Sequence, residues 1–224
     1  MVRTRSGKPN QPTGRQLNQP NLSTAGAADP RSATTKIERT PPMSAPRAPV
    51  LGWASFSPHR GPVPAAIDEA PVKAFTTSGR AALYQVLKQL GLPPGSVVLV
   101  PSYHCPTMVA PVLCAGLRPR FFAIDPDGLP LTSGIDTLAD PQPRAMIAAH
   151  YFGLPQSMAD LRAWCDRHKV TLIEDCAHSF FGQAGERPVG HWGDFATASV
   201  SKFFPVPEAG VIVAQRRQLR PLKL

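Results

Sequence analysis

The sequence lacks several features that would assign it to a large class of proteins. It has no run of about 18 apolar residues, so no transmembrane helix is expected, and its basic N-terminus lacks the apolar segment of a secretory signal. Its four cysteines form no CxxC pair and no zinc-ligand spacing, which predicts no metal site and favours reduced thiols in the cytoplasm. A strand followed by GxGxxG is also absent, which disfavours a dinucleotide-binding domain.

Acidic residues are scarce, with 15 Asp and Glu against 24 Lys and Arg. The excess of basic residues lies at the two ends of the chain. Residues 1–50 carry eight basic and two acidic residues, and residues 215–224 carry four basic residues and no acid. The part between them holds the remaining 12 basic and 13 acidic residues, so it is nearly neutral. Because no basic motif falls on a predicted folded surface, binding to nucleic acid is not expected.

The composition divides the chain into four segments. Residues 1–50 are rich in polar residues and proline and are predicted to form a disordered tail, and residues 51–73 form a Pro/Gly-rich lead-in. Residues 74–214 alternate short apolar runs with amphipathic stretches, and residues 215–224 form a basic end. This alternation predicts an α/β domain whose sheet is mostly parallel and doubly wound by helices.

One predicted helix begins with a signal for anion binding. In TTSGRAALYQVLKQLGL, Ser78 is a good N-cap, apolar residues recur at helical spacing, and Gly91 ends the helix. The first N–H groups of a helix have no intrahelical partner, so those of Gly79 and Arg80 are available to a phosphate.

Two predicted strands end next to residues that carry chemistry. The apolar run Val170–Ile173 stops at Glu174 and Asp175, and the run Ala196–Val200 leads to Lys202. Ligands of open α/β sheets bind at the carboxyl ends of the strands. A lysine that forms a Schiff base and an aspartate that pairs with a pyridinium nitrogen are the two groups that pyridoxal 5′-phosphate requires. An aspartate that caps a turn and a lysine that is solvated at the surface would give the same local pattern, and most such residues are exposed, so the pair alone is compatible with a pyridoxal-phosphate site and does not establish one.

The ordered motifs TSGRAAL, VPSYHC, AAHYFG, EDCAHS and GHWGDFATASVSKFFPVPEAG resemble the DegT/DnrJ/StrS-type sugar aminotransferases over about residues 74–214. The resemblance implies the aspartate-aminotransferase fold, with a three-layer, mostly parallel sheet in its large domain. It also implies pyridoxal phosphate as cofactor, a keto-sugar that is nucleotide-linked as acceptor, an amino-acid donor and a homodimer.

The resemblance assigns roles to individual residues. Lys202 is the expected Schiff-base and proton-transfer residue, and Asp175 is the expected partner of the pyridinium nitrogen. The other positions that match cofactor-binding residues are Ser78, Gly79, Arg80, Tyr103, His104, His150, His178 and Ser199. Ser201 competes with Ser199 for the phosphate, because alternation along a strand places both on one face.

The sequence departs from the family pattern at three positions. Arg80 replaces a threonine of the phosphate turn, and Cys105 occupies the position of the aromatic residue that stacks on the cofactor ring. Tyr103 or His104 is therefore expected to supply that stacking face. Ala209 replaces a glycine, and it would be strained if that glycine has positive φ.

The family is longer than this chain, which ends about ten residues after the last recognisable strand. The sequence is therefore expected to be truncated before a C-terminal domain, and QRRQLRPLKL is not expected to cover the exposed faces of the sheet. Two functions follow from these observations. One is an aminotransferase, and the alternative is a non-catalytic remnant or cofactor-binding protein of the same family.

Overall fold

A seven-stranded sheet organises the part of the chain that the structure describes. The computed structural model describes residues 49–50, 52–53, 57, 61–138 and 142–222. The strands are β1 (Lys73–Thr76), β2 (Val97–Pro101), β3 (Arg118–Phe122), β4 (Ala145–Ala149), β5 (Thr171–Asp175), β6 (Gln183–Ala184), β7 (Arg187–Pro188), β8 (Phe195–Ser199) and β9 (Gly210–Ala214). The α-helices are α1 (Gly79–Leu90), α2 (Pro106–Cys114), α3 (Thr132–Ile135) and α4 (Ala159–His168).

The strands of the large sheet follow the order β1-β9-β8-β5-β4-β2-β3. The five strands from β8 to β3 are parallel, whereas β9 runs antiparallel to both β8 and β1. Strands β6 and β7 form a separate two-stranded sheet. The predicted α/β class with a mostly parallel sheet is confirmed, and the carboxyl ends of β4, β5 and β8 lie side by side.

Helices cover both faces of the sheet and bury two apolar clusters. Leu172 of β5 packs in a cluster with Leu161 and Trp164 of α4. Ile173, the next residue, packs in the other cluster with Leu87 of α1 and Val112 of α2. Full burial of a leucine or isoleucine side chain stabilises a fold by about 1.5–3 kcal/mol, so these clusters hold the three layers together. Their alternation also decides which face each acid at the end of β5 reaches.

Helix α1 has the ends that the sequence predicts. Ser78 is its N-cap, and the Ser78 Oγ accepts a hydrogen bond of 3.2 Å from the Ala81 N–H. Gly91 ends the helix with φ +61°, a conformation that glycine adopts without a steric penalty. The buried face consists of Ala82, Leu83, Val86 and Leu87. The N-cap and the buried face together fix the position of the N-terminus of α1 beside the sheet.

Some predicted element boundaries are displaced. The strand predicted over residues 120–124 lies at Arg118–Phe122, because Arg118 pairs with Val97 at the start of β2. Strand β8 ends at Ser199, and Val200–Lys202 form a 3₁₀ turn that carries Lys202 away from the strand. The short pair of strands β6 and β7 has no apolar pattern in the sequence and was not predicted.

The basic C-terminal segment packs against the domain near the end of α1. Leu219 and Leu222 are partly buried against the cluster that contains α1 and α2. The Arg220 N–H donates to the Gln89 side chain at 2.9 Å, and the Gln89 side chain donates to the Arg220 carbonyl at 3.0 Å. The segment therefore covers apolar surface near the end of α1.

The predicted tail over residues 1–50 lies outside the described residues, except for its last two positions. Within the described ranges, every helix is too short or too polar to cross a bilayer.

Candidate active site

Lys202 and Asp175 border two adjoining cavities at the carboxyl ends of β5 and β8. The lysine cavity, of about 240 Å³, is bordered by these predicted site residues: Tyr103, His104, His150, Asp175, His178 and Lys202. The helix cavity, of about 300 Å³, is bordered by these predicted site residues: Ser78, Gly79, Arg80, Asp175, Ser199 and Lys202. The structure therefore brings every predicted site residue to one of two neighbouring cavities.

Asp175 lies at the end of β5 on the face of the sheet that α1 and α2 cover. Its Oδ1 accepts a hydrogen bond of 2.9 Å from the Ala177 N–H. Burial raises the pKa of Asp175, although the Ala177 N–H and the positive charge of Lys202 act in the opposite direction. A desolvated carboxylate is stabilised by a nearby cationic N–H group. Asp175 therefore fits the pyridinium nitrogen of pyridoxal phosphate.

Glu174 faces the opposite side of the sheet and has a role that was not predicted. Its Oε1 accepts from Gly190 N–H at 2.7 Å and contacts His150 Nε2 at 2.8 Å. Its Oε2 accepts from Trp192 N–H at 2.8 Å and from Gly193 N–H at 3.0 Å. The fully buried carboxylate thus connects β5 to residues 190–193. The sequence hint of this role was the pair of consecutive acids at the end of a strand. The role itself was not predictable, because the backbone N–H groups that bind Glu174 belong to residues 16 to 19 positions later in the chain.

His150 borders the lysine cavity, but its ring atoms are bonded elsewhere. Its Nδ1 accepts from the Gln156 N–H at 3.3 Å, so the proton resides on Nε2, which donates to Glu174. His150, Glu174 and Cys176 hold ligand-type atoms within 4.8 Å of one another. Because the Glu174 oxygens already accept hydrogen bonds from His150 and from backbone N–H groups, this arrangement is explained by hydrogen bonding.

His178 contributes a neutral ring to the lysine cavity. Burial lowers its pKa, the nearby Lys202 lowers it further, and Asp175 opposes both effects. Its ring stacks on Phe152, with centroids 6.0 Å apart. A neutral imidazole can both donate and accept, which suits contact with the ring hydroxyl of the cofactor.

The two residues expected to supply a stacking face have different surroundings. The His104 ring stacks on Phe121 at 4.9 Å, and His104 Nδ1 lies 2.9 Å from the Pro101 carbonyl, to which it donates. Tyr103 is 57% exposed and lies 5.5 Å from the Tyr151 ring. One face of His104 is therefore already covered, whereas the Tyr103 ring is accessible.

Cys105 borders the lysine cavity and occupies the N-cap position of α2, where its side chain makes no capping hydrogen bond. The Thr107 hydroxyl donates to Cys105 Sγ at 3.1 Å. This hydrogen bond and the Thr107 backbone N–H lower the pKa of the thiol below its ordinary value of 9.0, despite some burial. The departure from the family pattern therefore places an exposed, acidified thiol beside the predicted cofactor.

We expect Thr107→Val to slow alkylation of Cys105 by iodoacetamide at pH 7.5 by about twofold to tenfold. The thiolate is the reactive form, and loss of the hydroxyl donor raises the pKa, so a smaller fraction is ionised. The pH profile of the rate should move to higher pH. Mass spectrometry of tryptic peptides measures the rate, and exposed Cys114 in the same sample is the reference. An unchanged rate in the variant would disprove this effect of Thr107.

Close backbone packing holds the N-terminus of α1 against the ends of β8 and β9. A Cβ on Gly79 would lie 3.1 Å from the Ser199 Cβ, and a Cβ on Gly210 would lie 2.3 Å from the Ser78 carbonyl oxygen. Only glycine fits at Gly210, since the colliding atom belongs to the backbone. The N–H groups at the start of α1 and the Ser199 hydroxyl are thus held at one cavity, which fits a phosphate group.

The structure also bears on three questions left by the sequence: the role of Arg80, the choice between Ser199 and Ser201, and the strain at Ala209. The Arg80 guanidinium lies 3.9 Å from the Glu208 carboxylate, and both side chains are more than half exposed. Ser199 Oγ lies 3.5 Å from Ser201 Oγ, and only Ser199 of this pair borders the cavity. The strain considered for Ala209 is not found, because the positive φ angles of described non-glycine residues belong to Phe152 and Lys169.

Sequence reasoning missed several residues that border the cavities: Thr107, Ala177, Phe152 and Glu208. Ala177 and Thr107 are shared by both cavities. Ala177, Phe152 and Glu208 fall inside the motifs that carry the resemblance, and Thr107 lies two residues after VPSYHC, so proximity to a motif was the available signal.

The fold of the chain is similar to that of solved aminotransferases. It matches the aminotransferase from Psychrobacter cryohalolentis with a TM-score of 0.62 and 21% identity, over 66% of this chain and 39% of that chain. It also matches NtdA from Bacillus subtilis, a structure with the bound cofactor PMP, with a TM-score of 0.60 and 24% identity, over 67% of this chain and 34% of that chain. The sheet with helices on both faces therefore has the fold of these aminotransferases.

The sequence match identifies the family. The model of the DegT/DnrJ/EryC1/StrS aminotransferase family matches residues 70–220, and the chain belongs to this family. It is 34% identical over 134 residues to a UDP-N-acetyl-3-dehydro-alpha-D-glucosamine 3-aminotransferase of Acidithiobacillus ferrooxidans, covering 59% of this chain. It is 30% identical over 148 residues to the GDP-perosamine synthase of Vibrio cholerae, covering 64% of this chain. The matched regions span 36% and 40% of the lengths of these curated relatives.

Proposed function

We propose that the protein is a pyridoxal-phosphate-dependent aminotransferase that acts on a nucleotide-linked keto-sugar with an amino-acid donor. The observation that carries this proposal is that Lys202 and Asp175 border the same pair of cavities, with the N-terminus of α1 at one of them. These are the three groups that would hold the aldehyde, the ring nitrogen and the phosphate of the cofactor.

Each group has a distinct role. When bound, the cofactor supplies an aldehyde that captures amines and a ring that accepts electrons. Lys202 would hold the aldehyde carbon through its amine and would move a proton to and from the substrate carbon. Asp175 keeps the ring nitrogen protonated, and neutral His178 is available to the ring hydroxyl. The N–H groups of Gly79 and Arg80, with the Ser199 hydroxyl, receive the phosphate.

The substrate class is supported by the relatives. Two are named above, and a third is a dTDP-4-dehydro-2,3,6-trideoxy-D-glucose 4-aminotransferase of Saccharopolyspora spinosa, 31% identical over 65% of this chain and 37% of that protein. The three names share a nucleotide-linked sugar, although the nucleotide and the aminated position differ. We therefore propose the shared class and not one particular sugar.

We also propose that the protein acts as a homodimer in the cytoplasm. Family membership supports the dimer, and the four free cysteines are compatible with a reducing compartment. Light scattering of the purified chain measures the dimer, and fractionation of the source cells measures the location. A monomer, or recovery outside the cytoplasm, would contradict the respective proposal.

The first test is the visible absorption spectrum of the purified chain after incubation with pyridoxal phosphate and removal of excess cofactor. We expect a retained band that is absent from Lys202→Ala and that decays when L-glutamate or L-glutamine is added. Reduction with borohydride should then attach the pyridoxyl group to the peptide that contains Lys202, as detected by mass spectrometry.

The controls separate binding from turnover. Lys73→Ala removes an exposed lysine outside both cavities and should leave the band unchanged. A lysine-dependent band that no amino donor bleaches would favour the cofactor-binding alternative over the aminotransferase. Identical spectra of wild type and Lys202→Ala would reject the aminotransferase and would favour the non-catalytic remnant.

A further inference from the structure

Phe152 has a backbone conformation that a bulky side chain rarely adopts. Its φ is +54° and that of Gly153 is +78°, and the Leu154 N–H closes the turn by donating to the Tyr151 carbonyl at 2.9 Å. Positive φ at both central residues is the pattern of a type I′ turn, where Asn, Asp and Gly are favoured. The side chain is 68% exposed, so burial in the core does not compensate for the strain. Such strain is characteristic of residues retained for function.

The Phe152 ring belongs to an aromatic wall formed by Tyr103, Tyr151 and Phe152. Its centroid lies 6.2 Å from that of Tyr103 and 6.1 Å from that of Tyr151. The Tyr151 hydroxyl donates to the Tyr103 carbonyl at 2.7 Å, which ties the loops after β2 and β4 together. The strained turn thus holds the Phe152 ring in a wall that is braced from two loops.

The aromatic wall separates the lysine cavity from a third, wider cavity of about 640 Å³, which we call the outer cavity. The lining of the outer cavity is mostly apolar and also includes the polar side chains of Asp125, Asp127 and Gln156. Tyr103, Tyr151 and Phe152 border both cavities. A ligand in the outer cavity would therefore meet the aromatic wall and these polar groups, and the same wall borders the cavity that contains Lys202.

A hexose ring matches this combination of surfaces. The C–H groups on its apolar face carry a small positive charge, which suits the negative face of an aromatic ring, and its hydroxyls need polar partners. We propose that Phe152 is a substrate-binding residue whose ring stacks against the hexose of the nucleotide-linked keto-sugar as it approaches Lys202. This inference rests on the proposed function, because the substrate class comes from it.

Saturation-transfer NMR tests this contact on the full chain loaded with pyridoxal phosphate. The probes are UDP-glucose, GDP-mannose and dTDP-glucose, which keep the hexose and the nucleotide in one molecule. In wild type we expect saturation of the hexose ring protons by at least one probe. Phe152→Asn should reduce that saturation at least threefold, and Phe152→Tyr should retain it.

The stability of the same variant separates a ligand contact from a structural role. Asn tolerates positive φ, so Phe152→Asn should raise the thermal midpoint by about 2–4 °C while it weakens the hexose contact. The matched control is Phe75→Asn, which makes the same change at a 59% exposed phenylalanine outside the three cavities. This control should keep the hexose signal, and its midpoint should not rise.

Several outcomes would overturn the inference. These are equal hexose saturation in wild type and Phe152→Asn, no hexose saturation in wild type, and a lower midpoint for Phe152→Asn. Failure of the proposed function has a different signature, namely a visible spectrum that does not depend on Lys202. If that failure occurs while Phe152→Asn still loses the hexose signal, Phe152 is supported as a sugar contact without transamination.

Discussion

Replacement of Glu174 by alanine is expected to lower the free energy of unfolding by about 3–5 kcal/mol. The carboxylate is fully buried and accepts hydrogen bonds from three backbone N–H groups and from His150. Removing it leaves these donors buried without an acceptor, and each such donor costs about 1–3 kcal/mol. Since domains are stable by only about 5–15 kcal/mol, this loss is a large fraction of the total. Equilibrium unfolding in urea measures it.

Two variants and a second readout make this prediction specific. Glu174→Gln keeps the size of the side chain but turns one acceptor into a donor that faces other donors, so it should restore only part of the stability. Glu69→Ala removes an exposed glutamate and should change stability by less than about 0.5 kcal/mol. Hydrogen exchange at Trp192 and Gly193 should accelerate in Glu174→Ala. A Glu174→Ala variant within about 1 kcal/mol of wild type would contradict the proposed importance of this carboxylate.

Replacement of Asp194 by alanine is also expected to destabilise the fold by about 3–5 kcal/mol. Its Oδ2 accepts from the Arg162 guanidinium at 2.9 Å and from the Leu172 N–H at 2.8 Å. Burial alone would lower the pKa of Arg162, but its hydrogen bonds to Asp194 and Asp166 raise it above its ordinary value. Asp194→Ala therefore leaves a charged guanidinium with much less compensation in a buried position. Urea unfolding again provides the measurement.

The double variant Arg162→Met/Asp194→Ala tests this explanation. Removing both charges eliminates the uncompensated guanidinium, so the double variant should be more stable than Asp194→Ala alone. The Leu172 N–H still loses its side-chain acceptor, which should keep the double variant below wild type. The single variant Arg162→Met completes the comparison. If the losses in free energy of unfolding of Arg162→Met and Asp194→Ala simply add in the double variant, the two charges do not depend on each other and the explanation fails.

The sequence by itself determined the features that depend on neighbouring residues. The N-cap Ser78 and the C-cap Gly91 define α1 because capping requires only the residues of the adjoining turn. The apolar runs of β2, β4, β5, β8 and β9 appear in the sequence because both faces of this sheet are covered by helices or loops. The positions of Asp175 and Lys202 after two such strands, together with the motifs, were enough to predict the family and the candidate cofactor residues.

Only the tertiary structure decided the features that join distant parts of the chain. The antiparallel position of β9 between β1 and β8 depends on strand pairing, which short-range patterns do not encode. Glu174 and Asp175 look equivalent in sequence, but the alternation of β5 turns one toward the backbone of residues 190–193 and the other toward the lysine cavity. The aromatic wall that Phe152 joins likewise depends on contacts between loops that are separated in sequence, so no local pattern reveals it.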